Sequence, residues 1–307
     1  MAAVWEAEAI TEVLLRGTKP MNLHAVLDAF LAARKDKVGG INARVHLRHF
    51  YEIADQRMSK VTLQDLNAVI EKRRKAGTAH NTLAVTVSYW NAVVNYAEAQ
   101  KWTTAIKLPR LQAERTRLRF LTVEEEAALF ATIDPTADYP GKCARSDAAR
   151  QNNTDLLIGL LHLGCRYREI ARMKWSQVDF DTGLVVVYRG KGGIDSSMVM
   201  SARLRAMLTR RRAEATDEWV FPTKRKHNNN FAWMQDALAR AGISDAEGKV
   251  TLHTMRHSYA SRMLQGGMKL REVQELLGHK HYASTLIYAH LESGVVANRA
   301  AEILNGQ

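Results

Sequence analysis

The sequence predicts a mainly α protein with a small antiparallel β-sheet, an α+β fold in two parts. Three observations support this. Apolar residues recur at helical spacing, with capping residues ahead of them, from about residue 21 to 101. One stretch, VDFDTGLVVVYRGKGGIDSSMVMS, carries the convincing β signal. Between these regions the periodicity is lost and the charge becomes one-sided. A chain of 307 residues with 46% hydrophobic content is long enough for two cores, and only five prolines argue against a disordered chain.

Residues 1–20 read as a weakly helical extension ending at Lys19-Pro20. Four helices follow over 21–105. Asn22 can cap the first, whose inward face is Leu23, Val26, Leu27, Phe30 and Leu31, and Gly39-Gly40 stops it. The second is expected from about Asn42 to Asp55, with Val45, Leu47, Phe50 and Ile53 as its apolar side. Thr62 and Asp65 form a capping pair for the third, with Leu63, Leu66, Val69 and Ile70 inward. That helix ends in EKRRKAG, where cations suit a helix C-terminus and Gly77 the stop. The fourth runs from about Thr78 to Lys101. Lys72, Arg73, Arg74 and Lys75 are candidate phosphate contacts, a solvated helix end being the alternative.

Residues 106–119 read as a basic linker, in which Lys107, Arg110, Arg115, Arg117 and Arg119 face only Glu114. Such a linker lets two halves close around a duplex. The second domain is expected over 120–292. Thr122 and Glu125 form its first capping box, 134–153 a surface loop, and TDLLIGLLHLG a buried helix ended by Gly164. Two β-branched runs at 184–188 and 198–200 flank a glycine-rich turn with Lys191 near its tip. Helices resume at 202–215 and 229–241. Basic runs at 210–212 and 224–226 are phosphate contacts or solvated surface. Residues 293–307 form a tail with Val295, Val296, Ile303 and Leu304 as its apolar residues.

A net charge of +12 points to a polyanionic partner, nucleic acid before an acidic membrane surface. No apolar run approaches a bilayer span, and Glu6, Glu8 and Glu12 stand where a secretory signal carries positive charge, so a cytoplasmic location is expected. Two cysteines, Cys143 and Cys165, are too few for a disulfide framework or a four-ligand zinc site. Cys165 precedes Arg166, whose charge favours a thiolate; the alternative is a small residue in a packed turn.

The chemistry-bearing residues concentrate in 252–290, which holds five of the eleven histidines. His253 and Arg256, three apart on a helix, make a donor pair for the oxygens of one phosphate. Gly278 stops the next helix and places His279 on a tight turn; Ser284 then caps a helix, TLIYAHLE, that presents Tyr288. A phenol with a pKa near 10 needs a base or a cationic environment to act as nucleophile, and His and Arg side chains supply one. Taken singly, each residue also fits a structural role. The combination is what discriminates.

Four motifs stand in order: LGCRYREI with Arg166, RGKGG with Lys191, HTMRHSYAS with His253 and Arg256, and LGHKHYASTLIYAH with His279 and Tyr288. Over about Phe120 to Leu291 the chain thereby resembles the tyrosine recombinase (phage integrase) family. The resemblance implies an N-terminal core-site DNA-binding bundle and a catalytic domain forming a C-shaped clamp on DNA. It implies site-specific cleavage and rejoining of DNA through a 3′-phosphotyrosine and a Holliday junction, in phage or mobile-element integration and excision. By the same resemblance Tyr288 is the nucleophile, and Arg166 and Arg256 hold the non-bridging oxygens. Lys191 protonates the leaving 5′-oxygen, His253 is the base for the tyrosine, His279 donates to the phosphate, and Glu169 orients the site. Neither metal nor nucleotide cofactor is implied. The implied partners are double-stranded DNA with paired inverted core sites, three further copies in a tetramer formed from monomers, and accessory DNA-bending or directionality factors; the tail docks on a neighbouring subunit or on its own domain. The family's Thr-Gly before the first arginine reads Leu163-Gly164-Cys165 here, and Met255 stands where Leu is frequent, departures that remove no polar catalytic group.

The rival readings are weaker. His253 and His257 have metal-ligand spacing, but no Glu follows His253 as HExxH requires. RGKGG lacks the GxxxxGK[ST] spacing of a nucleotide loop. A type IB topoisomerase shares the chemistry but needs no docking tail. Chromosome-dimer resolution is the alternative biological role, and a catalytically silent DNA-binding protein is disfavoured because all six polar catalytic positions are filled.

Overall fold

The computed structural model describes residues 19–35, 39–102, 105–112, 114, 118–137, 144–190, 193–222, 231–246, 248–291 and 303–305. It divides into two compact units, 1–115 and 116–307. Lys191, Arg115, Arg117, the 224–226 run, Cys143 and most of the 293–307 tail lie outside the described residues. No helix among those described is long and apolar enough to cross a membrane.

The first unit is a helical bundle of α1 (Leu23–Ala32), α2 (Gly40–Leu47), α3 (Leu63–Lys75) and α4 (His80–Ala99). Asn22 Oδ1 accepts from the His24 N–H, and Thr62 with Asp65 makes the expected capping box. The core gathers Leu23, Leu27, Phe30, Leu47, Phe50 and Leu66 around Trp90. Two expectations fail in detail. The second helix gives way to a 3₁₀ turn over Arg48–Ile53, which keeps Phe50 buried, while Val45 and, at the first position of α3, Leu63 are exposed. The expected linker also begins as an ordered strap along α4. Leu108 is buried, Trp90 Nε1 donates to Ile106 O at 2.9 Å, and Asn91 exchanges hydrogen bonds with the Leu108 backbone. Polar side chains of a helix satisfy an irregular backbone here, an arrangement that leaves no trace in periodicity.

The second unit contains α5 (Val123–Ile133), α6 (Ala144–Leu163), the short α7 (Tyr167–Ala171), a sheet of β1 (Val178–Asp179), β2 (Leu184–Val187) and β3 (Ser196–Val199), then α8 (Ala202–Ala213), α9 (Ala232–Arg240), α10 (Leu252–Gln265) and α11 (Leu270–Leu277). The sheet is antiparallel in order β1-β2-β3, with Val187 paired to Ser196. Its strand β1 is additional to the two expected. Helix α6 starts at Ala144, inside the stretch expected to be a loop; Ala148 and Ala149 are exposed, while Leu156, Leu157, Leu160, Leu161 and Leu163 are buried. Helix α10 packs chiefly against α6 through Met255, Tyr259 and Ala260. That packing brings the end of α6 and the start of α10 together, and the site is built there.

Candidate active site

Gly164 ends α6 with φ +52, and a Cβ there would lie 2.3 Å from the Tyr259 ring. The chain can therefore turn sharply at the α10 surface and start α7. Arg166 is the N-cap of α7. Its N–H donates to Glu169 Oε2 and its Nη1 to Glu169 Oε1, both at 2.8 Å. One carboxylate thus caps a helix and holds a guanidinium. Burial acts to raise this carboxyl, but the Arg166 N–H and the Arg189 guanidinium outweigh it and hold it below its ordinary value.

Thr251 caps α10, placing His253 in the first turn and Arg256 one turn deeper. Arg256 is 1% exposed. Its two η nitrogens donate to Gly164 O and Leu277 O, each at 2.8 Å, where α6 and α11 leave unpaired C-terminal carbonyls. Burial lowers its pKa to about 10, with help from Arg166 and Arg189. It remains charged at neutral pH. His253 is solvent-accessible, and partial desolvation, then Arg256 and Arg166, lower its pKa. The α10 dipole acts in the same direction.

Gly278, at φ +64, stops α11 as expected and turns His279 back. His279 Nδ1 bonds Thr285 Oγ1 at 2.9 Å, leaving Nε2 as its remaining polar atom. Burial, then Arg256, lowers its pKa to about 4. Tyr288 ends a 3₁₀ turn, Leu286–Tyr288, rather than standing within the expected helix. It is 1% exposed, whereas Tyr282 is 43% exposed. Burial pushes the Tyr288 phenol to about 12 against a smaller opposing pull from Arg256.

Sequence reasoning missed the partner of this phenol. Tyr288 Oη bonds His257 Nδ1 at 2.7 Å, not His253, and the two imidazoles meet edge-on with centroids 4.6 Å apart. Burial lowers the His257 pKa to about 4, so it is neutral and able to accept. The i, i+4 spacing that suggested a metal pair instead puts His257 one turn behind His253, facing the phenol. A cleft of about 780 Å³ is lined by Arg166, Glu169, His253 and His279. Arg168, Arg172, Lys280 and Tyr188 add to its wall and were also missed; only their shared opening identifies them. Arg256 and Tyr288 lie behind this cleft rather than lining it.

Cations singled out elsewhere meet different fates. Arg119, with Arg115 and Arg117 a candidate DNA contact of the basic linker, is instead buried in an ion pair with Glu125, the partner of Thr122 in the α5 capping box. Arg210 and Arg211 turn inward onto buried Asp155. Arg73 is half-buried against Thr86, Lys72 pairs with Glu52 at 2.7 Å, Arg74 pairs with Glu71, and Lys75 is exposed. Cys165 is a buried thiol raised to about 12, which excludes the thiolate reading.

A phenol lies against an imidazole behind a cleft lined by Arg166, Arg168 and Arg172, an arrangement suited to binding a phosphate. The family comparison agrees: the chain belongs to the phage integrase family, whose family model matches residues 119–294. It is similar to the tyrosine recombinase XerA of Thermococcus kodakarensis, 28% identical over 262 residues, covering 79% of this chain and 86% of that one. Its fold is similar to that of a lambda integrase dimer bound to a COC′ core site, with a TM-score of 0.71 at 16% identity, covering 91% of this chain and 80% of that one. A lambda integrase tetramer bound to a Holliday junction matches with a TM-score of 0.67 at 17% identity, covering 85% and 78%. The chain is a tyrosine recombinase, an enzyme that cleaves and rejoins DNA strands in site-specific recombination.

Proposed function

We propose that Tyr288 attacks the scissile phosphate to form a 3′-phosphotyrosine, with Arg166, Arg256 and His279 holding the phosphate. The observation that carries this reading is the convergence of Arg166 and Arg256 on one carboxylate, Glu169, at 2.8 and 3.9 Å. Two guanidiniums around a single anion leave positive charge for the phosphate and for the charge that develops in the transition state. When Thr285 donates to His279 Nδ1, Nε2 carries the proton and can donate. His253 acts as general base for the Tyr288 phenol, Lys191 protonates the leaving 5′-oxygen, and Glu169 orients Arg166. Tyr288 reaches the cleft once the 282–288 turns shift and its bond to His257 is exchanged for one to the substrate.

At the level of the assembly, the proposed substrate is double-stranded DNA with paired inverted core sites, contacted by Lys72, Arg74 and Lys75 and, beyond the described residues, by Arg115 and Arg117. Four copies act on the synapsed sites through a Holliday junction, in integration and excision of a mobile element. The likeness to lambda integrase supports this through fold.

Footprinting the protein on DNA flanking its own gene identifies the site. A nicked duplex of that sequence then traps a covalent complex with the parent and none with Tyr288→Phe. Failure of both on every footprinted site overturns the reading. Intermolecular joining of two plasmids supports integration, whereas resolution of head-to-tail plasmid dimers alone favours chromosome-dimer resolution. Plasmid relaxation without recombinant product, with the chain monomeric, favours a topoisomerase.

A further inference from the structure

The Arg189 side chain is fully buried and lies where three segments carrying proposed catalytic residues meet. Its Nη1 donates to Glu169 Oε2 at 2.7 Å, while the other oxygen of that carboxylate holds Arg166. Its Nη2 donates to Leu276 O at 2.7 Å, in the last turn of α11 before Gly278 and His279. Nε and Nη2 reach Ser196 Oγ at 3.2 and 2.8 Å at the start of β3. The Arg189 N–H donates to Asp195 Oδ1 at 2.6 Å, which closes the base of the β2–β3 loop that contains Lys191. Packing is equally close. A Cβ on Gly278 would lie 2.7 Å from Arg189 Cγ and 2.4 Å from Ile194 O.

The charges do not balance. Arg166, Arg189 and Arg256 approach Glu169 at 2.8, 2.7 and 3.9 Å, so three cations share one anion. Stability alone does not call for an arginine at this position, since a buried ion pair can often be replaced by well-packed apolar groups without loss. A surplus of positive charge in a desolvated pocket does serve a reaction in which negative charge grows on a phosphate.

We propose that Arg189 is a positioning residue for strand cleavage. It fixes Glu169 and through it Arg166, and seats the Gly278–His279 turn. Its charge adds to the field on the scissile phosphate without touching it. The proposal rests on the catalytic assignments made above.

The test compares parent, Arg189→Lys, Arg189→Gln and Ser196→Ala, each first checked for parental circular dichroism and cooperative melting. Single-turnover cleavage of the core-site duplex is measured at saturating protein, and Kd on the same duplex by anisotropy. Cleavage is expected to slow about 10-fold in Arg189→Lys and about 100-fold in Arg189→Gln, with Kd within about threefold of the parent. Ser196→Ala, which keeps the charge and loses one anchor, is expected to slow cleavage about threefold to 10-fold. On a duplex with a methylphosphonate at the scissile position, which lacks the non-bridging charge, the Arg189→Gln deficit shrinks to a few-fold. The proposal is overturned if the Arg189 variants cleave like the parent. It is also overturned if the loss of rate is matched by a loss of binding, or if the Arg189→Gln deficit is the same on both duplexes. Where Arg189→Gln does not fold, Arg189→Lys and Ser196→Ala decide through rate against Kd. Tyr288→Phe is run alongside: a covalent complex in that variant sinks the nucleophile assignment whatever Arg189 does.

Discussion

Two groups of cations in this chain show how location decides what a basic residue does. In the catalytic unit, Arg189 and Arg256 are buried and bond helix-terminal carbonyls, with Glu169 beside both. At the end of α3, Lys72 and Arg74 make exposed ion pairs with Glu52 and Glu71. An exposed pair is screened and weak, so its cation can exchange a carboxylate for a DNA phosphate at little cost. A buried guanidinium has no such freedom. It holds one geometry, which is what a transition state requires. On the proposed function, the first group serves catalysis and the second reversible attachment to DNA.

The contrast is sharpest at Arg256. Replacing it by Gln leaves the carbonyls of Gly164 and Leu277 poorly satisfied and Glu169 short of a neighbour. Strand cleavage is expected to fall at least 100-fold, and the unit to lose about 3 kcal/mol. Single-turnover cleavage and thermal melting check both; a variant with parental stability would break the comparison.

A middle-sized effect is expected from pH. His257 and His279 are held at about 4, below the ordinary value of 6.5. Between those values the unfolded chain binds more protons than the folded one, so stability is full above about 6.5 and is lost as pH falls toward 4. Melting temperature followed from pH 7.5 to 4 should decline in that window, and His257→Phe with His279→Gln should flatten the decline. The Tyr288 phenol, at about 12, stays protonated throughout.

The smallest effect belongs to α3. Lys72→Ala with Lys75→Ala should leave the melting temperature unchanged. DNA binding should weaken several-fold at physiological salt, and the slope of log K against log salt should fall by about 1 to 2. An unchanged slope would remove these lysines from the DNA-facing set.

Much of this site was legible because its parts are local. The capping boxes at Thr62 and Thr122, the stop at Gly278, and the spacings of Arg166 to Glu169 and His253 to Arg256 all act within a few residues, where helical geometry fixes what can meet. Arg189 and His257 were not legible as parts of the site. Arg189 lies two residues before Lys191, in a glycine-rich turn motif whose local pattern carries no sign of burial. Only the approach of α7 and α11 shows that it is buried. Arg119 erred in the other direction, since its burial against Glu125 depends on how the chain enters α5.

By itself, the sequence determined the helical character, a small antiparallel sheet and the order of the motifs, because periodicity, capping and motif spacing are short-range properties; the proposal of Tyr288 as nucleophile rests on the family resemblance. The tertiary structure alone decided that Tyr288 is withdrawn onto His257, that Arg256 bonds two helix ends, and that Arg189 joins three segments. Apart from Arg189 to Ser196, those contacts span from 20 to 92 residues of chain. Which pairs form at such separations depends on how the helices pack and which groups lose water together, and no local pattern encodes that.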